Sequence, residues 1–130
     1  MSNLVLVDSS YWIRLVALHR DPFDELGSHA DDFEFAINGI IWAEVVRGRV
    51  DPAICARFEE GFSTLVFLNL TAGSWQRAAE LAWQLDRTGQ VLGLPNLAIA
   101  VTAIENDAAV LTFDRHFQSI PGLLAIDSLD

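Results

Sequence analysis

Residues 92–117 read LGLPNLAIAVTAIENDAAVLTFDRHF. Pro95 marks a helix start, because proline fits the first turn of a helix, and the apolar residues that follow predict a helix from Asn96 to about Glu105. Ala109–Thr112 is a short apolar run of the kind that forms a buried strand. A helix that leads directly into a buried strand is part of a βαβ unit, so this stretch predicts an α/β fold.

The rest of the chain alternates strands and helices in the same way. The apolar runs predict strands over Leu4–Val7, Phe33–Ile37, Thr64–Leu70, Ala109–Thr112 and Leu123–Ile126. Capping residues, prolines and helical spacing predict helices after Asp8, after Asp21-Pro22 to about Gly27, over Ile40–Val46, from Asp51-Pro52 to about Phe58, and from Thr71 to Arg87. We therefore expect one domain over residues 1–130: a three-layer α/β/α sandwich around a mainly parallel sheet of four or five strands.

Composition narrows the class of protein. The chain is 52% hydrophobic, yet it has no apolar run of the roughly 18 residues that a membrane span requires. The N-terminal MSNLVLVDSS lacks the basic flank of a signal peptide, so we expect no membrane association. Cys55 is the only cysteine, which excludes a disulfide within the chain and fits the reducing cytoplasm.

The charge balance is strongly acidic. Eighteen acidic residues face eight basic residues, all of them arginine, for a net charge of −10. Such a surface argues against general electrostatic binding of nucleic acid, which requires a positive footprint. The acids could instead bind divalent cations or attract a basic partner, although most are interpreted as solvated surface.

Four polar side chains are placed close to the ends of predicted strands. Asp8 follows the first strand and Asp114 the fourth, while Glu44 lies on the helix after the second strand and Asn96 opens the helix before the fourth. They converge if the first and fourth strands are neighbours, because function gathers at the carboxyl edge of a parallel sheet. Clustered carboxylates repel unless a cation neutralises them, and carboxylate and amide oxygens suit Mg²⁺ or Mn²⁺. The chemistry this implies is hydrolysis of a phosphodiester.

Each of these residues also has an ordinary interpretation. Asp8 and Asp114 could simply cap helical turns, Glu44 could be an exposed helix residue, and Asn96 could be a polar residue in a first turn. Trp75 and Trp83, at helical spacing, are expected in the core or a dimer interface, and His19 and His116 at the surface.

Two other α/β classes are disfavoured by what the sequence lacks. A Rossmann-type nucleotide-binding protein has a glycine-rich loop after the first strand, where this chain reads VDSSYW. A receiver-like phospho-acceptor domain also places acids at strand ends but needs a lysine near the last strand, and this chain has no lysine.

Three segments together resemble the PIN domain, and within it the VapC-type toxins of bacterial and archaeal toxin–antitoxin pairs. LVLVDSSYWI at 4–13, IIWAEVVRG at 40–48 and LPNLAIAVTAIENDAAVLTFDRHF at 94–117 match its motifs in order, over essentially the whole chain. The resemblance implies that Asp8, Glu44 and Asp114 bind Mg²⁺ or Mn²⁺, with Ser9 and Thr112 as supporting hydroxyls. It further implies a ribonuclease that acts on RNA, forms a homodimer, and is silenced by an antitoxin whose tail lies across the active-site groove.

Asn96 departs from the family pattern, which usually has aspartate after the Leu-Pro pair. The amide keeps one acceptor oxygen at this position of the expected metal site but carries no charge. Three interpretations are open: activity survives on three acids, the chain is a weakened or inactive relative, or the residue was replaced so that a toxic protein could be expressed. A catalytically silent protein that still binds antitoxin or RNA is the alternative to a nuclease.

Overall fold

A computed structural model describes residues 2–130, which form a five-stranded sheet in which every neighbouring pair is parallel. The strands are β1 Leu4–Val7, β2 Glu34–Ile37, β3 Val66–Phe67, β4 Ala109–Leu111 and β5 Ala125–Ile126, in the order β3-β2-β1-β4-β5. The predicted α/β fold with a parallel sheet is therefore confirmed. The first and fourth strands are neighbours, as the convergence of the polar residues requires.

The central position of β1 follows from its sequence. Val5, Leu6 and Val7 are all buried, although successive side chains of a strand point to opposite faces of the sheet. Both faces of β1 are therefore covered by protein, which is the usual environment of a strand in a parallel sheet. The register pairs Val7 with Leu111, so the residues that follow β1 and β4 emerge side by side.

Six α-helices and one 3₁₀ helix are found among the described residues. They are α1 Ser9–Ala17, α2 Pro22–Gly27, α3 Gly39–Arg47, α4 Pro52–Phe62, α5 Ala72–Arg87, α6 Leu94–Glu105 and the 3₁₀ helix Arg115–Ser119. Helices α1 to α5 each begin with a side-chain oxygen that accepts a hydrogen bond from the first turn, supplied by Asp8, Asp21, Asn38, Asp51 and Thr71 respectively. Helix α6 follows Gly93 and has no such cap.

The outer strands are shorter than predicted. The run Thr64–Leu70 contributes only Val66–Phe67, because β3 lies at the sheet edge and pairs with just Ala36 and Ile37 of β2. The predicted last strand likewise contracts to Ala125–Ile126 at the opposite edge. An apolar run predicts a strand but not how many of its residues find a partner.

Two predictions about helices need correction. Helix α4 continues four residues beyond Phe58 to Phe62, and both of these phenylalanines are fully buried. Trp75 and Trp83 of α5 are not in the core: they are 44% and 60% exposed, while Ala78 and Leu85 supply the buried side of that helix. A role of the two tryptophans in a dimer interface stays a prediction.

An aromatic cluster holds α1 against α2 and α4. Trp12 is fully buried, packs against Phe23 and Phe62 with ring centroids 5.0 Å apart in each case, and donates its indole N–H to the carbonyl oxygen of Val7 at 3.0 Å. The cluster thus fixes α1 to the end of β1.

Within residues 2–130, no helix is both long enough and apolar enough to cross a membrane.

Gly61 should be essential for this cluster. A Cβ at this position would lie 2.3 Å from two ring carbons of Phe23, closer than packed atoms can approach. We predict that Gly61→Ala lowers the free energy of unfolding by about 1–3 kcal/mol, because the ring must leave its position. Gly27→Ala is the control: its Cβ would meet no atom within 4 Å, so it should be neutral or stabilising by about 0.5–1 kcal/mol. Urea unfolding of both variants measures the difference.

The ion pair between Asp21 and Arg57 should make stability depend on pH. Burial by itself raises the pKa of Asp21, but hydrogen bonds from Arg57 and from the backbone of Phe23 outweigh it and hold that pKa below its ordinary value of 3.8. The contribution is therefore complete above pH 3.8 and is lost as the pH falls through the lower pKa of the folded state.

Asp21→Asn separates the ion pair from the helix cap, since asparagine also caps helices. We predict that the variant is about 0.5 kcal/mol less stable than wild type at pH 7, a small value because both side chains are partly exposed. The difference should vanish below the folded-state pKa. Chemical unfolding across this pH range tests it, and a difference independent of pH would contradict it.

Candidate active site

Asp8 and Thr112 join the ends of the two central strands. The hydroxyl of Thr112 donates to Asp8 Oδ2 at 2.8 Å, and the Ser10 hydroxyl donates to the same oxygen at 2.7 Å. The backbone N–H of Ser10 adds a longer bond of 3.3 Å, which is the helix cap expected of Asp8. The capping interpretation of this aspartate is therefore confirmed, and the same carboxylate oxygen that caps the helix takes all three hydrogen bonds.

Asp114 is connected to Asp8 through the same threonine. Its backbone N–H donates to Thr112 Oγ1 at 2.9 Å. Its carboxylate takes hydrogen bonds on both oxygens: Oδ1 from the backbone N–H of His116 at 2.9 Å, with the His116 ring Nδ1 2.6 Å away, and Oδ2 from the amide of Asn96 at 3.2 Å. Burial raises the pKa of Asp114, but these bonds from His116 and Asn96 outweigh it and hold the pKa below 3.8.

Glu44 approaches the site from α3. Its Oε1 accepts a hydrogen bond from the Ser9 hydroxyl at 2.8 Å, and Ser9 adjoins Asp8 in the chain. Glu44 is half-buried, one turn after Ile41, whose backbone N–H is capped by Asn38. The interpretation of Glu44 as an ordinary exposed helix residue is therefore wrong.

A buried polar bridge sets α3 against α6. Asn38 is fully buried at the end of β2; its Oδ1 caps α3, and its Nδ2 donates to Thr102 Oγ1 at 3.1 Å. Thr102 in turn donates to the carbonyl oxygen of Ala98 within α6. Because α3 carries Glu44 and α6 carries Asn96, this bridge helps to fix the relative position of two candidate metal ligands.

The hydrogen bonds leave several site oxygens available. In the described part of the chain, Asp8 Oδ1, Glu44 Oε2 and Asn96 Oδ1 accept no hydrogen bond, and no fully buried side-chain oxygen or nitrogen lacks a partner. These oxygens must therefore reach solvent. Carboxylate and amide oxygens open to water suit Mg²⁺ or Mn²⁺, which bind few protein groups directly and keep several waters.

The carboxylates do not form a closed cage. Across residues 2–130, no three carboxylate, imidazole or thiol side chains lie close enough together to enclose a metal ion. Two sets of hydrogen bonds are found instead, Asn96–Asp114–Thr112–Asp8 and Ser9–Glu44, linked by the adjacency of Asp8 and Ser9 in the chain. The arrangement does not fit a structural metal surrounded by protein ligands.

Three residues of the site were not predicted as members of it. Ser10 accepts a hydrogen bond from the backbone N–H of Phe113 while it donates to Asp8, and its place in the DSS sequence was the only signal for it. His116 is exposed at the surface, as expected, but its ring contacts Asp114, and the spacing of two residues in DRH is compatible with that contact. Asn38 gave no signal beyond its position after a strand.

Comparisons with known proteins agree with this architecture. The model of the PIN domain family matches residues 5–123, so the chain belongs to the PIN domain family. No curated protein sequence matches the chain.

Several solved structures share the fold. They include VapBC2 from Rickettsia felis bound to a DNA fragment from its promoter, with a TM-score of 0.78, 22% identity, and 95% of this chain and 97% of that chain covered. VapBC-1 from nontypeable Haemophilus influenzae gives a TM-score of 0.78 with 21% identity and the same coverage. A toxin-antitoxin complex from Klebsiella pneumoniae gives 0.66 with 26% identity, covering 92% of this chain and 95% of that chain.

Replacing Asn96 by aspartate should show how much a further carboxylate lowers the free energy of unfolding. Asn96→Asp removes the N–H that binds Asp114 at 3.2 Å and places two carboxylates in contact. We predict that the variant loses about 1 kcal/mol of unfolding free energy in EDTA, and that Mg²⁺ raises its melting temperature more than that of wild type.

Asn106→Asp is the matched control for this substitution. Asn106 also donates from its amide, to the carbonyl oxygen of Thr102 at 2.8 Å, but it lies beyond the other end of α6. That variant should lose stability without gaining a response to Mg²⁺. An equal response to Mg²⁺ in both variants would mean that the cation does not bind at position 96.

Proposed function

We propose that this chain, as a single PIN-like nuclease domain over residues 1–130, is a metal-dependent endoribonuclease and the toxin of a VapC-type toxin–antitoxin pair. The observation that carries the proposal is the junction at the ends of β1 and β4, where Thr112 binds Asp8 through its hydroxyl and Asp114 through the same oxygen. Membership of the PIN family and the likeness to toxin–antitoxin complexes support it.

The proposed metal ligands are Asp8, Glu44, Asn96 and Asp114, with Mg²⁺ or Mn²⁺ as the cation. A divalent cation held there would lower the pKa of a water molecule and offset the negative charge that develops on the leaving oxygen of a phosphodiester. The catalytic set proposed from the sequence also includes Ser9 and Thr112.

The chain's own residues would orient these ligands. Ser9 holds one oxygen of Glu44, and Thr112 and Ser10 hold one oxygen of Asp8, so that the other oxygen of each carboxylate faces outward. Asp114 is held on both oxygens by Asn96 and His116, and the His116 ring is placed to hold a proton against Asp114 Oδ1. Side chains that are already held in place lose little conformational entropy when a cation binds, so less of the binding free energy is offset.

The partners follow from the same proposal. RNA is the substrate, an antitoxin protein is the inhibitor, and the active form is a homodimer in the cytoplasm. The solved complexes support the antitoxin, because they are VapBC pairs or a toxin-antitoxin complex. The two exposed tryptophans of α5 give apolar surface that self-association would cover.

An RNA-cleavage assay tests the activity. Wild type and Asn96→Asp are incubated with tRNA, rRNA and mRNA in Mg²⁺, Mn²⁺ or EDTA, and we predict that Asn96→Asp cleaves RNA faster than wild type because its site binds the cation more tightly. Adding Asp8→Asn should reduce the rate by about 100-fold or more, since an outward ligand loses its charge.

Asp51→Asn, made in the same Asn96→Asp background, is the control for Asp8→Asn. Asp51 also caps a helix through its carboxylate but lies on an exposed turn before α4. The rate of this variant should stay within about twofold, because asparagine is an equally good cap. Absence of metal-dependent cleavage in every variant would contradict the nuclease proposal.

A catalytically silent PIN-like binding protein is the second candidate. The specific observation in its favour is the hydrogen bond from Asn96 to Asp114 Oδ2, which occupies an acidic oxygen with an amide where the family pattern places another acid. This candidate predicts that wild type binds RNA or antitoxin but does not cleave RNA. The Asn96→Asp variant then either restores cleavage or is inactive as well.

A further inference from the structure

A cleft of about 200 Å³ adjoins the acidic site on the side of α1 and the end of β5. It shares Thr112, Phe113 and Asp114 with that site, and its remaining lining residues are Arg14, Arg115, Gln118 and Asp127. We infer that Arg14 and Arg115 form a subsite for the phosphate backbone of single-stranded nucleic acid beside the acidic residues. The inference rests on the proposed ribonuclease function and extends it to the residues that bind the substrate.

Within residues 2–130, five of the eight arginines form no ion pair, and only two of these five, Arg14 and Arg115, line the cleft. Elsewhere Arg20, Arg57 and Arg77 are paired with Glu25, Asp21 and Glu105 respectively. Throughout residues 2–130, neither Arg14 nor Arg115 forms an ion pair, although acids outnumber arginines by eighteen to eight. Two arginines without carboxylate partners thus line the cleft that borders the acidic site, where a polyanionic substrate would otherwise meet repulsion.

Arg14 is held in position by aromatic stacking. Its guanidinium lies 4.6 Å from the centre of the Phe113 ring, and that ring stacks on Tyr11 with centroids 5.4 Å apart and an interplanar angle of 17°. The backbone N–H of Phe113 donates to Ser10, which binds Asp8. A stacked guanidinium keeps its N–H groups available at its edge, which suits bidentate contact with a phosphate.

Arg115 is placed by the residue next to it. It opens the 3₁₀ helix that Asp114 caps through the N–H of His116, so the cleft and the candidate metal ligand share one turn of backbone. Asp127 lies on the same cleft and opposes an anion there. Asp114 lines the cleft as well, so two arginines face two carboxylates, and removing the charge of Asp127 should leave the cleft with a net positive charge and strengthen binding.

Binding of a fluorescent single-stranded oligoribonucleotide in EDTA tests the subsite without cleavage. We expect Arg14→Gln and Arg115→Gln each to weaken binding about fivefold and to reduce the slope of log affinity against log salt by about 0.7, the value for one phosphate contact on a single strand. Asp127→Asn should tighten binding. Size-exclusion chromatography confirms that the variants keep the oligomeric state of wild type.

Arg87→Gln is the matched control. Arg87 also stacks on an aromatic ring, that of Trp83 at 4.5 Å, but it lies on α5 and does not line the cleft. Its affinity and salt slope should remain those of wild type. Equal losses in all three arginine variants would overturn the subsite, because they would reflect net charge alone.

The outcomes separate the subsite from the proposed function. RNA cleavage by Asn96→Asp together with unchanged binding in the Arg14 and Arg115 variants would overturn the subsite and leave the nuclease standing. Arginine-dependent RNA binding without cleavage in any variant would support the subsite and contradict the nuclease. Absence of RNA binding by wild type would overturn the subsite, and so would equally tight, arginine-dependent binding of a poly-glutamate peptide, which would assign the cleft to acidic protein segments.

Discussion

The pairing of β1 with β4 is the constraint on which the candidate site depends. It places Asp8 beside Thr112 across a separation of 104 residues, and the backbone N–H of Asp8 extends the ladder by donating to Leu111 at 2.9 Å. Parallel pairing brings both chain segments out at the same edge, so polar residues after each strand meet without any special loop. The threonine hydroxyl then links the two acids while leaving an oxygen of Asp8 open to water.

The polar network resolves a conflict between burial and charge. Asp8 is only 4% exposed, and a carboxylate so placed requires hydrogen bonds or a cation to offset its lost hydration. The hydroxyl groups of Ser10 and Thr112 donate such hydrogen bonds to one carboxylate oxygen of Asp8, Oδ2. Asn96 has a comparable effect on Asp114, because its amide N–H contacts an oxygen that another acid would repel. The amide thus lowers the repulsion at this edge in the absence of a cation.

The sequence predicted the parts of the fold that depend on local pattern. Leu4–Val7 was predicted residue for residue, since four apolar residues bounded by Asp8 leave little choice of strand ends, and Asp21 and Asp51 before proline marked two helix starts. The limits of the edge strands were not predictable, because they depend on which residues of a neighbour remain to be paired. The exposure of Trp75 and Trp83 was missed because helical spacing defines a face but not what packs against it.

The candidate site was predictable to a similar degree. The sequence predicted the edge of the sheet at which the candidate residues lie, because Asp8, Glu44, Asn96 and Asp114 are all near strand ends. Which of their atoms bind each other depends on side-chain geometry. Ser10 and Ser9 are adjacent and chemically identical, yet one binds Asp8 and the other Glu44. Consecutive helical residues point in different directions, and only the packing of α1 decides which hydroxyl faces which acid.

The strand order has a consequence for how the protein is made. The first strand of the domain occupies the centre of the sheet, and its partner on one side is the fourth strand, which follows much later in the chain, since Val5 pairs with Ala109. Such distant pairing is slow to form, and until it does the hydrophobic residues of the first strand lack one neighbour. A nascent chain in which the fourth strand has not yet been made therefore carries half of the acidic edge without the other, and any chemistry of that edge begins only after the fourth strand has paired.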